Sequence, residues 1–301
     1  MSVADRSQAR RIIHRAAYLG LSTIALQSAL PLFAQPNAIS TTVATSYGNN
    51  SEHGAYANIN GIKLYYETYG KGQPILLIHG NNGSIIDMTY QIDFFAERNQ
   101  VIVVDSRGHG KSEMGSGRLT YEQMADDYDK LLHLLNVKSI NLLGWSDGGI
   151  IGLLLAINHP DKVGKLAVMG VNVSPTGAYK WAQDWVASKS KLVNTAIDSG
   201  ESSNNLFRYK QLLDLLGKQP NISPNDLHQI SAPTLIMVGD RDIIRSEHTL
   251  EIFNNIKNAQ LCIFPGATHG IPRQDPKTFN EVVLKFFTNS FKCPDSKDMF
   301  Q

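Results

Sequence analysis

Apolar residues along this chain fall into two patterns. Near the start, Tyr56 to Ile59 and Ile62 to Thr68 flank Asn60-Gly61, so two strand-forming stretches meet at a tight-turn dipeptide and predict a β-hairpin. Short continuous runs follow, beginning at Ile75 (ILLIHG), Val101 (VIVVD), Ile140 (INLLG), Leu166 (LAVMGV), Thr234 (TLIMVG) and Leu261 (LCIF). Runs without polar alternation fit strands buried on both faces. Between them lie stretches with helical spacing, such as Tyr121 to Leu135 and Ile150 to Ala156. Repeated strand–helix units predict an α/β domain with a parallel sheet and right-handed crossovers. Leu166 and Thr234 are 68 residues apart, too far for one crossover. The excess predicts an insertion at about 173–230, whose Trp181, Trp185, Leu212, Leu213, Leu215 and Leu216 suggest short helices. There it forms a cap over the carboxyl edge of the sheet, where open α/β sheets bind ligands.

The first 34 residues follow neither pattern. Arg6, Arg10, Arg11 and Arg15 precede an apolar stretch from Ala16 to Phe33, and Ala34 supplies a small residue at a cleavage point. This is the layout of a signal peptide, so the expectation is export to a periplasmic or extracellular location. Cleavage after Ala34 leaves 267 residues with a net charge of −2. An uncleaved anchor and an amphipathic start of the domain remain as alternatives, although Ser22, Thr23, Gln27, Ser28 and Pro31 make a poor bilayer span. Residues 35–53 are polar and aperiodic and read as a flexible linker. The domain then covers 54–292, with a tail at 293–301.

Composition mainly removes possibilities. With 42% hydrophobic and 18% charged residues, the 301-residue chain is ordinary globular protein. A net charge of +1, with no basic block beyond the first residues, leaves no footprint for nucleic acid. Two cysteines, Cys262 and Cys293, support neither a disulfide framework nor a structural zinc site. A single bond between them is open in an oxidising compartment; two free thiols is the favoured reading.

The chemistry is expected where strands end. Gly144-Trp145-Ser146-Asp147-Gly148 matches G-x-S-x-G, after one predicted strand and before a helical run. A sharp strand-to-helix turn there exposes the serine and needs small residues two places to either side. A serine hydroxyl is a weak nucleophile; it needs a base, and the base an orienting acid, here in the chain order Ser, acid, His. His269 follows the last strand. His79 and His109 fall in loops that shape backbone, His133 and His228 in helical stretches. For the acid, Asp242 and Asp240 compete. Asp242, three residues past Gly239 on the loop that turns toward His269, is favoured; Asp240 would brace the turn. Oxyanion donors are expected from the backbone N–H groups of Asp147 and, in the loop His79-Gly80-Asn81-Asn82-Gly83-Ser84, of Asn81. The side chain of Asp147 reads either as a surface-facing helix cap or as a cation binder. Trp145, Asp147, Tyr179, Trp181 and Trp185 are pocket candidates, with cap packing the plainer role for the aromatics. Gly110-Lys111-Ser112 looks like the end of a phosphate loop, but that motif requires glycine where this chain has Asp105.

From about Tyr56 to Phe291 the chain resembles the α/β-hydrolase superfamily. The likeness is carried by His79-Gly80-Asn81, Asp105-Ser-Arg-Gly-His-Gly-Lys-Ser112, Gly144-Trp-Ser-Asp-Gly-Gly149, Gly239-Asp-Arg-Asp242 and Pro265-Gly-Ala-Thr-His269. The resemblance implies a mostly parallel eight-stranded sheet with helices on both faces, a Ser146–His269–Asp242 triad, and neither cofactor nor metal. Ser146 sets the chain apart from the branches with an aspartate nucleophile. The string from Gly144 to Gly149 looks like the valacyclovir-hydrolase (biphenyl-hydrolase-like) group, where the acid matching Asp147 is implicated in binding an α-amino group. The chain departs from the family at Ile244-Arg245, where Val-Pro usually stands. The resulting expectation is an exported serine hydrolase of small carboxylic esters, thioesters or lactones. It has no nucleic-acid partner and no stable membrane insertion once mature. A proline-iminopeptidase-like aminopeptidase and a non-catalytic ligand receptor are the alternatives.

Overall fold

Eight strands form one sheet in a computed structural model that describes residues 46–294 and 296–300. In chain order they are β1 (Gly54–Ile59), β2 (Ile62–Tyr69), β3 (Pro74–Ile78), β4 (Gln100–Val104), β5 (Ile140–Trp145), β6 (Val163–Met169), β7 (Thr234–Arg241) and β8 (Ala259–Thr268). Their order across the sheet is β1-β2-β4-β3-β5-β6-β7-β8. The hairpin β1–β2 is antiparallel and joins β4 antiparallel; all other pairs are parallel. The fold is thus the α/β architecture expected from the runs, with the hairpin as its antiparallel edge. Asn60 and Gly61 both take positive φ at the turn, as a two-residue hairpin loop requires.

Side chains alternating along the inner strands divide the core in two. Leu76, Ile78, Ile102 and Val104 face one layer; Ile75, Leu77, Val101 and Val103 face the other. The main helices are α1 (Thr89–Ala96), α2 (Tyr121–Leu134), α3 (Asp147–Asn158), α4 (Lys180–Asp198), α5 (Asn204–Lys218), α6 (Ser246–Asn254) and α7 (Pro276–Thr288). Helices α2 and α3 cover the first layer, α1 and α7 the second. Helix α3 is apolar nearly all round because it is buried against the sheet on one side and α2 on the other.

The long gap after β6 holds α4 and α5, packed on each other. Leu212, Leu213 and Leu215 of α5 are buried, as are Val193 and Ala196 of α4. Arg208 ties α5 to the sheet side, its Nε donating to the carbonyl of Gly108 at 2.6 Å. The loop beyond β7 grips the other end of the insertion: the Tyr179 N–H donates to Ile243 O and the Arg245 N–H to Gly177 O.

The linker reading needs a correction. Residues 1–34, read above as a signal peptide, and residues 35–45 lie outside the described residues, but residues 46–53 are folded onto the domain. Glu67, fully buried on β2, accepts the N–H groups of Gly48 and Asn50 at 2.9 and 3.0 Å and the hydroxyls of Tyr65 and Tyr69. The phenol of Tyr47 donates to Asp93 on α1. Among the described residues no helix is long and apolar enough to cross a membrane, and Cys262 and Cys293 are both free thiols.

Candidate active site

Ser146 stands between β5 and α3 with φ 56° and ψ −121°. A non-glycine residue there is strained, and close packing around the turn holds it. A Cβ at Gly148 would lie 2.1 Å from the carbonyl oxygen of Ile78, so α3 starts too close to β3 for any side chain. The strain lifts the serine side chain clear of the sheet edge.

His269 follows β8 on the same edge. Its Nε2 lies 2.9 Å from Ser146 Oγ, and its Nδ1 lies 2.8 Å from Asp242 Oδ1. The second bond places the proton on Nδ1 and leaves Nε2 to accept from the serine. Asp242 is buried, and its Oδ1 also accepts the Ile244 N–H. Of the two competing aspartates the structure brings Asp242 to His269. Asp240 is exposed and makes no side-chain hydrogen bond or ion pair among the described residues, so it does not brace the turn.

Sequence reasoning missed two supports of this row. Gly170, directly after β6, has φ 63°, and a Cβ there would stand 2.6 Å from His269 Nδ1. The imidazole fits only because that position has no side chain. A glycine closing the strand run was its signal. Trp145, a pocket candidate, lies behind His269 instead: its Nε1 donates to the His269 carbonyl at 2.8 Å, and it does not line the cavity.

The loop after β3 runs directly beside Ser146, since a Cβ on Gly80 would come within 3.2 Å of Ser146 Cβ. The Ser106 N–H donates to His79 Nε2 at 3.1 Å, which leaves Nδ1 to donate to the Gly80 carbonyl at 2.8 Å. Burial holds His79 below its ordinary range and so keeps it neutral. The Gly83 N–H donates to the same carbonyl. In a trans peptide C=O and N–H point apart, so the Asn81 N–H is turned away from these donors. Asp105 steadies the region by accepting the N–H groups of Ile85 and Lys111, both at 2.8 Å. That is its work in the segment that resembled a phosphate loop.

Asp147 does not face the surface, as the helix-cap reading expected. It is buried beside the serine, and its Oδ2 accepts the Asn81 side-chain amide at 2.8 Å. The same amide reaches the Leu212 carbonyl of α5 at 3.2 Å. Burial pushes the Asp147 carboxyl up to about 6, against the opposing pull of Asn81.

A cavity of about 170 Å³ opens onto Ser146 between the cap and the sheet edge. Its apolar wall includes Trp181, Trp185, Val186, Leu216 and Ile244, and Asp147 and Tyr121 are among its polar members. Trp181 and Trp185 thus sit where a pocket reading put them, while remaining partly exposed. Tyr179 does not line the cavity; it precedes α4 with its ring in solvent.

A family model for the α/β-hydrolase fold matches residues 73–219. The chain is 27% identical over 277 residues to serine hydrolase BPHL of Mus musculus, spanning 84% of this chain and 90% of that protein. Among solved structures it is similar to Est816, described as an N-acyl homoserine lactone degrading enzyme, at a TM-score of 0.65 and 26% identity, covering 77% of this chain and all (100%) of the other. It is also similar in fold to MGS-M2, an α/β hydrolase enzyme from a Medee basin deep-sea metagenome library, at a TM-score of 0.70 and 20% identity over 80% of this chain and 99% of that one. Sheet order, insertion point and these likenesses agree: the chain has the α/β-hydrolase fold.

Proposed function

We propose that the protein is a serine hydrolase of small carboxylic esters, including thioesters and lactones. The carrying observation is the continuous row Ser146 Oγ, His269 Nε2, His269 Nδ1, Asp242 Oδ1, with bonds of 2.9 and 2.8 Å on a strained turn at the mouth of a cavity. Ser146 attacks the carbonyl carbon while His269 Nε2 takes its proton. The carbonyl π pair moves onto oxygen, held by the N–H groups of Asn81 and Asp147. As the intermediate collapses, the C–O bond to the alcohol breaks and His269 returns the proton to the leaving oxygen. Water, deprotonated by the same imidazole, then releases the acid and regenerates Ser146. Asp242 fixes the imidazole tautomer and stabilises the imidazolium.

The cavity limits the substrate. An apolar cavity of about 150 Å³ holds one benzene ring, so a group of that size fits beside Ser146. The aminopeptidase reading calls for a site that takes a free amino terminus. Asp147 is the acid nearest the serine, so prolyl amides belong in the same assay. Labelling by a fluorophosphonate and turnover of an ester panel, both abolished in Ser146→Ala, are the expected results. An unlabelled wild-type protein would refute the reading, and prolyl-amide cleavage without ester cleavage would favour the aminopeptidase.

A further inference from the structure

Tyr121 opens α2 and carries a hydroxyl that the fold does not use. The side chain is fully buried, and its oxygen makes no hydrogen bond of normal length and angle among the described residues. Such a group lowers stability unless something else satisfies it. It does not lie in a dry core, because Tyr121 lines the cavity with Ser146 and Asp147. The Asp147 carboxylate acts on the phenol electrostatically and as a loose hydrogen-bond acceptor; together with burial, the largest cause, it holds that phenol well above its ordinary range. Asn81 engages one oxygen of Asp147. A carboxylate has about four acceptor positions, so Asp147 can still take a second donor.

We propose that Tyr121 and Asp147 form a polar subsite in the cavity for a hydroxyl group carried by the substrate. The argument is one of matching. A hydroxyl donates its hydrogen to Asp147 and receives the Tyr121 hydrogen on its oxygen. An ammonium has no lone pair and leaves the phenol with only its loose contact to Asp147; an alkyl group adds no partner for either protein group. Because the wall is largely apolar and the space is about one ring in size, the substrate class is an ester whose short chain or single ring carries one hydroxyl. The inference rests on the esterase reading and narrows it.

The test is a methyl-ester series with short-chain and single-ring acyl groups, and the matching acetates of short-chain and single-ring alcohols. Each member carries hydrogen, hydroxyl or ammonium at successive carbons. At one position the hydroxyl ester should exceed its unsubstituted analogue by at least about tenfold in kcat/KM, since a site built to bond a hydroxyl rejects the analogue lacking it. In Tyr121→Phe that ratio should fall toward one, while Tm stays level or rises because an unpaired buried hydroxyl is gone. A wild-type ratio near one at every position overturns the proposal, as does a ratio that survives in Tyr121→Phe. Preference for the ammonium member would assign the subsite to a cation and likewise overturn it. In each of these outcomes unsubstituted esters are still cleaved, which separates this failure from that of the esterase reading; turnover of no member overturns both.

Discussion

Replacing Gly170 by alanine places one methyl group against the base. The new carbon would lie 2.6 Å from His269 Nδ1 and 2.7 Å from its Cε1. That is about 0.8 Å short of the 3.4 Å at which ordinary contact begins. The backbone cannot absorb the gap, because β6 is paired on both sides, with β5 and β7. The ring must retreat, and the retreat lengthens the bond to Asp242 or the one to Ser146. A displacement approaching 1 Å at reacting groups costs on the order of 10² in rate. Holding alanine at φ 63° costs a further 1–2 kcal/mol or so in stability. Gly266 separates the two effects: its φ is 66°, it lies three residues before the base, and a Cβ there meets nothing within 4 Å. Gly266→Ala should show a similar loss in chemical denaturation, with turnover close to wild type. Gly170→Ala should lose about as much stability and in addition about 10² in kcat and in the rate of fluorophosphonate labelling. Equal turnover in the two variants would refute the steric argument.

Three other outcomes follow from the site. Asp242→Asn should lower kcat by about 10³–10⁴ through the wrong imidazole tautomer, whereas exposed Asp240→Asn should change stability by no more than about 0.5 kcal/mol; the reverse pattern in steady-state kinetics would show the acid to be misassigned. Asp147, pushed by burial from 3.8 to about 6, binds its proton more tightly folded than unfolded, so its contribution is full below pH 4 and is lost as pH rises through 6. Asp147→Asn should therefore gain up to about 3 kcal/mol over wild type at pH 8 and little at pH 4, read from urea unfolding at the two pH values; a gain confined to acid would contradict the assignment. Denatured, unreduced protein should titrate as two free thiols per chain, Cys262 and Cys293; fewer would reveal a bond.

The sheet was legible because its strands are buried on both faces, which leaves no choice of pattern: ILLI, VIVV and INLL could serve little else. Ser146, Asp242 and His269 were legible for a related reason, since parallel strands deliver their carboxyl ends to one edge and the chain order of the residues then suffices. Other features depend on contacts between residues far apart in sequence. The Gly48 and Asn50 N–H groups satisfy Glu67 17 to 19 residues away, and nothing in a polar, aperiodic stretch announces that. Asp147 looked like a helix cap because its local context is that of one; its contact with the Asn81 loop and its place beside Tyr121 in the cavity are set by residues distant in sequence. Trp145 was misplaced because position in a motif says where a residue lies and nothing about which way its ring turns.

The amide of Asn81 joins three separate parts of the chain: the loop beside the nucleophile, the residue after the nucleophile, and the cap carbonyl of Leu212. Any lift of α5 off the sheet edge would pull on that side chain and, through it, on the loop beside Ser146. An open cap and a settled loop would then be alternative conditions of one molecule, because the same amide serves both. On the esterase reading proposed above, turnover would belong to the closed condition, and an ester too large for the cap to settle over would bind without being cleaved.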